Sequence, residues 1–527
     1  MGKEAYIIAK GGAILGIANY VSLLIQMGIS LIVMSFLGPE LYGIRGVLLG
    51  FQSLLFSQIS AFITIPFTRE LSKTRKLGTT LEYSVVISTV FVFLFLMSLG
   101  IFFLYEIFGF IYFAQKISYS RLPFLLLISG IMIPLLTLQI FFSEILRSEL
   151  RYIRYLLVIN SRIFIFAICV ILMIILKWLT LENVFISDFI SVTASVFLGF
   201  LLVSKVLNKR EIRFIIDLRY LKEFLFNAIQ VEIGTIIGRT AFNLDSLLIP
   251  SIISLRYIGY YYFAKSLIRF FIRGINDVKT LYLPVLAYKA TTKSDLLVKD
   301  YISVSLAMTI FLTNLFILPI IAFLDEILTL LSIIIPPFSE YLDAYLIVAI
   351  IILYSIIFAF YTDIVVYSDS KAKYYRRIFA NSIGLVTYLL LAFILVLIAS
   401  SFDDYYRTVL LALIFVLEFL ARGIYWAKVA IEEEIVFPWL RTIIVETILV
   451  ILSFFILLNF NYAEINIIGS FFIFLFALLY AGAISLIQLA TKIITYKQLL
   501  LISKSLRHSV ILKLILPLLK ISKKISD

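Results

Sequence analysis

Long apolar runs, separated by short clusters of charged residues, fill this sequence from its first ten residues to about residue 490. A helix needs about 20 consecutive apolar residues to cross the hydrocarbon core of a bilayer. Reading the runs against that length predicts fourteen spanning helices. They lie over approximately 10–36, 41–67, 83–105, 121–142, 156–176, 184–204, 223–250, 256–285, 300–323, 341–362, 378–400, 406–428, 438–459 and 464–490. The expected fold is an all-α polytopic membrane protein. The connections predicted to face outside are short, the longest lying near 106–120 and 324–340, and neither is long enough for a folded domain.

Composition agrees with that map. The chain is 62% hydrophobic and 15% charged, against roughly 45–50% and 25% in soluble domains, which excludes a soluble enzyme. The net charge of +13 would suit a nucleic-acid partner until the charges are placed. Of the 45 Lys and Arg residues, 32 fall on segments predicted to be cytoplasmic, 5 on outer segments and 8 within helices. That asymmetry is the positive-inside signal of a membrane protein. Nucleic acid is therefore not expected, and both termini are expected in the cytoplasm. No cleavable leader or myristoylation pattern is read at the N-terminus. A single cysteine, Cys169, excludes an intramolecular disulfide or thiolate cluster, and a single histidine, His508, excludes a histidine metal site or triad. With no P-loop motif either, no cofactor is expected.

Three features repeat in order. The turn Phe36-Leu-Gly-Pro-Glu-Leu-Tyr-Gly43 precedes helix 2, and Ser254-Leu-Arg-Tyr-Ile-Gly259 precedes helix 8. Pro66 and Pro284 end those helices, and Asn160-Ser161 and Asn381-Ser382 open helices 5 and 11. The offsets of 216, 218 and 221 residues predict two pseudo-symmetric six-helix lobes, 1–215 and 216–430. Six helices per repeat give both lobes one orientation, related by an axis along the membrane normal. Helices 13 and 14 (431–491) fall outside the repeat. The remainder, 492–527, is a basic tail that reads as an in-plane amphipathic helix on the anionic cytoplasmic leaflet or as a partly disordered segment.

Lys10-Gly-Gly, Leu37-Gly-Pro-Glu-Leu-Tyr-Gly43, Asn243-Leu-Asp245-Ser-Leu-Leu-Ile and Ile258-Gly-Tyr-Tyr-Tyr262 together resemble the polysaccharide-biosynthesis flippases. These belong to the multidrug/oligosaccharidyl-lipid/polysaccharide (MOP) exporter superfamily. The resemblance spans roughly residues 5–490, and Ser254-Leu-Arg-Tyr departs from the more polar or glycine-containing turn of many relatives. It implies two lobes around a central cavity. It also implies transport of an undecaprenyl- or dolichyl-linked oligosaccharide from the inner to the outer leaflet of the cell membrane. Membrane lipids, and glycosyltransferases or a polymerase of the same route, are the partners it implies.

Ionisable residues inside the membrane are costly and mark functional sites. Lys265, Arg269 and Arg273 recur every four residues on helix 8. Each step drifts only about 40° around the helix, so the three form one stripe. Helix 7 adds Glu232, Arg239 and Asp245, and helix 2 adds Arg45. Arg45, Arg239, Lys265, Arg269 and Arg273 are the expected substrate-binding residues, because guanidinium matches phosphate oxygens in a bidentate fork. Asp245 and Glu232 are the expected ion-coupling residues. Each assignment competes with a structural one. Arg273, Arg45 and Arg162 can reach a membrane surface by snorkelling, and Arg269 can pair with Glu232 or Asp245. Glu418 and Arg422 read as a mutual pair, and Glu446 has no partner evident in the sequence.

Three functions compete. A lipid-linked oligosaccharide flippase needs cationic walls for its phosphate. A multidrug or small-molecule exporter of the same superfamily needs an anionic, aromatic cavity, and the excess of Arg and Lys in helices 7 and 8 argues against it. A membrane glycosyltransferase needs an outer acidic site. Only Asp403-Asp404 offers one, in a turn too short to support it.

Overall fold

The computed structural model describes residues 3–209, 212–272, 295–371, 373–459, 467–491 and 493. Among them every regular element is helical, and eleven helices are long and apolar enough to cross a membrane. In chain order the long helices are α1 (Lys3–Phe62), α2 (Thr68–Leu77), α3 (Thr80–Lys116), α4 (Leu122–Ser148), α5 (Tyr152–Ile175) and α6 (Leu181–Lys209). They continue as α7 (Leu218–Asn243), α8 (255–272), α9 (Asp295–Ala322), α10 (Leu324–Ile334) and α11 (Tyr345–Ser370). The last are α12 (Tyr374–Ile398), α13 (Asp404–Glu432), α14 (Trp439–Asn459) and α15 (Ile467–Ala490). The chain is a multi-pass bundle. Its lipid side is a shell of exposed Phe, Leu and Ile, among them Phe103, Leu104, Ile168, Phe197, Phe393 and Phe455.

The first two expected spans are the two helical arms of α1, which meet at a sharp corner at Gly38. Proline disfavours helical geometry in the residue before it, yet its fixed φ suits the first turn of a new helix. The chain therefore leaves one arm and re-enters the next within a single residue. Gly38 has φ 71° and ψ 169°, a region open essentially to glycine alone. The predicted turn over 36–43 is thus a corner, and Gly43 sits inside the second arm. Gly43 and Gly259, the pair that marks the sequence repeat, touch. A Cβ on Gly43 would lie 3.0 Å from the Gly259 nitrogen, and a Cβ on Gly259 would overlap the Pro39 carbonyl. Glycine at both positions lets the second arm of α1 and the start of α8 meet backbone to backbone.

Two expected loops are helical. α3 runs to Lys116 instead of ending near 105, because Glu106 is followed by the apolar Ile107–Phe113. Tyr112 there donates to Ser251 or accepts from it at 2.7 Å. Residues 324–340 fold as α10 followed by a 3-10 segment, Pro336–Ala344. This segment rests on the corner of α1, where the Tyr341 ring lies 6.5 Å from Tyr42 and its hydroxyl donates to the Met34 carbonyl at 3.4 Å. The expected helix over 223–250 breaks at Leu244, and the tail after 493 lies outside the described residues.

Local chemistry sets several ends. Thr79 and Glu82 form a reciprocal capping box that starts α3. Asp403 caps α13 by accepting from the Tyr406 N–H at 2.9 Å, while Asp404 accepts from the Ser254 N–H at 3.1 Å and pairs with Arg407 at 3.0 Å. The Asp403-Asp404 pair is therefore accounted for as structure.

At the opposite end of the bundle, Glu433 follows α13 and receives Lys373 and Arg376 from the start of α12. Burial alone would raise its carboxyl, but these hydrogen-bonded cations outweigh it and hold the group below the usual carboxylate range. A lowered folded value contributes stability above the unfolded value of about 4.3 and loses it as pH falls through the folded value. Glu433→Gln is expected to lower the melting temperature at neutral pH and to flatten its fall below about pH 4.3. Parallel acid profiles for variant and wild type would contradict this.

Candidate functional site

Most of the charges expected to form the site lie on α7, on α8 and on the turn between them. Asp217 starts α7, its side chain accepting from the backbone N–H groups of Arg219 and Tyr220. After the break at Leu244, Asp245 opens a single helical turn and faces α8. Lys265 Nζ lies 2.6 Å from Asp245 Oδ2 and 2.6 Å from the Phe242 carbonyl. The Tyr261 hydroxyl donates to the same carboxylate oxygen at 2.7 Å. Phe242 and Phe415 place their ring centroids 4.4 and 5.3 Å from the ammonium. Both side chains are 1% exposed, so in this state Lys265 offers a ligand no surface. The opposed charges and aromatic faces together offset the cost of removing an ammonium from water.

One helical turn further, Arg269 is exposed. Its guanidinium lies 6.0 Å from the Phe242 ring centroid, and it pairs with no carboxylate among the described residues. The expected alternatives, Glu232 and Asp245, do not reach it. Arg269 sits about 21 Å along α8 from its first residue. Arg273 lies outside the described residues.

On α7, Arg239 donates to Ser60 Oγ of α1 at 2.7 Å. Beside it Gln58 donates to Thr240 at 3.0 Å. These contacts join α7 to the second arm of α1. Glu232 is fully buried, within electrostatic range of Arg377 and Arg239. On the other side of it Arg377 donates to Thr235 at 2.6 Å and pairs with Asp369.

Arg45, on the second arm of α1, lies 3.7 Å from Asp188 of α6. Arg162 of α5 meets the other oxygen of that carboxylate at 3.0 Å. Arg162 therefore turns to an internal partner and does not snorkel to the nearer surface. The expected Glu418–Arg422 pair forms and is buried.

No protein-family model matches the chain, and no curated protein matches it in sequence. Solved structures match its fold. A lipid II flippase MurJ in an inward closed conformation superposes with TM-score 0.63 at 16% identity, covering 90% of this chain and 98% of its own. An inward-facing multidrug resistance MATE family transporter of the MOP superfamily gives TM-score 0.63 at 10% identity, covering 79% and 94%. The chain has the fold of the MOP-superfamily transporters. A MOP superfamily transporter from Pyrococcus furiosus, noted for reversed polarity of its binding pocket, follows at TM-score 0.57 and 11% identity over 82% and 98%. All three are transporters or flippases.

Within this MOP fold several polar residues escaped the sequence reading. Asp188 is a lone carboxylate in an apolar helix, the same signal that singled out Glu232, and it was legible. Glu446 has partners that carry no charge: Asn314 donates to it at 2.7 Å and Gln488 at 3.1 Å. Ser60 and Tyr261 are ordinary polar residues in apolar runs, and only packing shows their role.

Proposed function

We propose that this protein is a flippase that moves a polyprenyl-(pyro)phosphate-linked oligosaccharide from the cytoplasmic to the outer leaflet by alternating access. In this reading residues 1–215 and 216–430 act as two pseudo-symmetric lobes within a fourteen-span protein of the cell membrane, with both termini cytoplasmic. The observation that carries it is Arg269: an exposed guanidinium, unpaired among the described residues, on a helix that this reading places across the membrane. Such a group is stable in hydrocarbon surroundings only where it borders water or an anion. Its planar fork suits a phosphate and repels a cationic drug.

The remaining cations take graded roles. Arg239 and Arg45 sit on opposite sides of the chain's repeat, and each keeps donors beyond the contacts described above. Lys265 supports Arg269 by fixing the α7–α8 hairpin through Asp245, and the stripe extends toward Arg273. Glu232 is the residue through which a coupling cation would act, because its buried carboxylate lies within electrostatic range of Arg239. Asp245 takes that role only if Lys265 releases it. Glycosyltransferases or a polymerase would supply and consume the cargo.

Ligand stabilisation separates flippase from drug exporter. A ligand that binds only the folded protein adds about 2.7 kcal/mol at a hundred times its Kd. Farnesyl pyrophosphate is expected to raise the melting temperature of the purified protein by several degrees, and an alkyl-ammonium amphiphile of equal chain length is not. Stabilisation by the ammonium compound alone would favour the exporter.

A further inference from the structure

The first half of the chain holds a second cationic cluster that the helix 7–8 hairpin does not explain. Asp188 lies between two guanidiniums, with Oδ2 3.7 Å from Arg45 and Oδ1 3.0 Å from Arg162. One carboxylate serves two cations, so the cluster keeps one positive charge in excess. A guanidinium carries five N–H donors, and Asp188 engages only one nitrogen of each arginine. Phe166 lies against Arg45, with 5.9 Å between guanidinium and ring centroid.

The cluster is not sealed. Arg162 and Arg45 keep 32% and 14% of their side-chain surface accessible. On α5 the exposed residues Leu157, Phe164, Ile168 and Ile175 share one face, which is the lipid side. Arg162, Phe166, Cys169 and Met173 follow at helical spacing on the opposite face, and all four are partly accessible. Arg162 and the residues that follow it on this face are therefore within reach of a small ligand.

We propose that Arg45 and Arg162 form a second phosphoryl-binding site, in which Asp188 is a resident counter-ion that the incoming anion displaces. The inference rests on the flippase reading and deepens it by placing a phosphate contact in the first half of the chain. Asp188 is a positioning residue. Without a ligand it holds two like charges together; with one, it surrenders their free donors and weakens binding enough for release. The single excess charge matches one ionised phosphoryl group.

Cys169 supplies the reporter, being the chain's sole cysteine and about 10 Å along the same face from Arg162. The experiment measures the rate at which a fluorescent maleimide labels Cys169 in the purified full chain, with added inorganic pyrophosphate or farnesyl pyrophosphate. Both are expected to slow labelling, and the prenylated probe to act at lower concentration if the ligand is lipid-borne. Equal potency would assign the site to free phosphate. Arg162→Gln and Arg45→Gln should each abolish protection, and Asp188→Asn should give protection at roughly tenfold lower probe concentration. Lys428→Gln, at an exposed position, should behave as wild type. Should Asp188→Asn fail to fold, Asp188→Glu keeps the counter-ion and must keep wild-type protection. Protection that survives Arg162→Gln, or that weakens in Asp188→Asn, overturns the proposal and leaves Asp188 a purely structural partner. Absence of protection in wild type, while translocation still depends on Arg269, sinks this site alone. Loss of both removes the flippase reading as well.

Discussion

Lys265→Ala or Asp245→Ala is expected to lower stability by about 3–5 kcal/mol, the cost of leaving one member of a buried ion pair uncompensated. The geometry leaves little to rescue the survivor. Without Lys265, Asp245 keeps among the described residues only the Tyr261 hydroxyl at 2.7 Å. Without Asp245, the ammonium keeps the Phe242 carbonyl at 2.6 Å and the aromatic faces around it. Replacing both, as Lys265→Met with Asp245→Leu, should return stability to within about 1–2 kcal/mol of wild type, since apolar isosteres often match a buried pair. Thermal melting of the four proteins reads the cycle directly. The two singles behaving like wild type would mean that water reaches the pair. The double variant also separates structure from transport: stability recovers, and any remaining transport defect belongs to a ligand contact by one of the two residues.

Arg269→Ala should weaken a pyrophosphate amphiphile by about 10–100-fold, because hydrogen bonds to charged groups contribute about 1.5–3 kcal/mol. Arg269→Lys should fall between alanine and wild type. It keeps the charge and loses the bidentate fork. Neither change should lower stability, since Arg269 is exposed and unpaired among the described residues. That pattern distinguishes it from Arg422, whose removal would leave Glu418 buried without its cation. Lys428, with 73% of its side chain exposed, is the control at which charge is removed without consequence.

Most helices were legible because a spanning segment must be apolar throughout, and charges bound it on both sides. The corner at Gly38-Pro39 was legible as punctuation, although only the structure shows that one residue suffices to turn the chain. The run from Glu106 to Lys116 reads as a loop because a charged residue marks a boundary in sequence, yet the helix tolerates it within an apolar stretch. Site residues were legible as charges and not as partners. Lys265 and Arg269 carry the same signal four residues apart, but one is buried against Asp245 and the other is open. For Arg162, spacing along a helix gives a depth from which snorkelling is open to it and not the neighbour across it, and that neighbour is Asp188.

The central claim, that a lipid-borne phosphate crosses the membrane on Arg269, is tested most directly by leaflet translocation of a fluorescent polyprenyl-pyrophosphate oligosaccharide. Proteoliposomes carry wild type or Arg269→Ala, matched for folded protein by melting temperature, and outer-leaflet quenching gives the initial rate. The account predicts rapid translocation by wild type, a loss of about 10–100-fold in Arg269→Ala and wild-type rates in Lys428→Ala. Wild-type translocation by folded Arg269→Ala would contradict it.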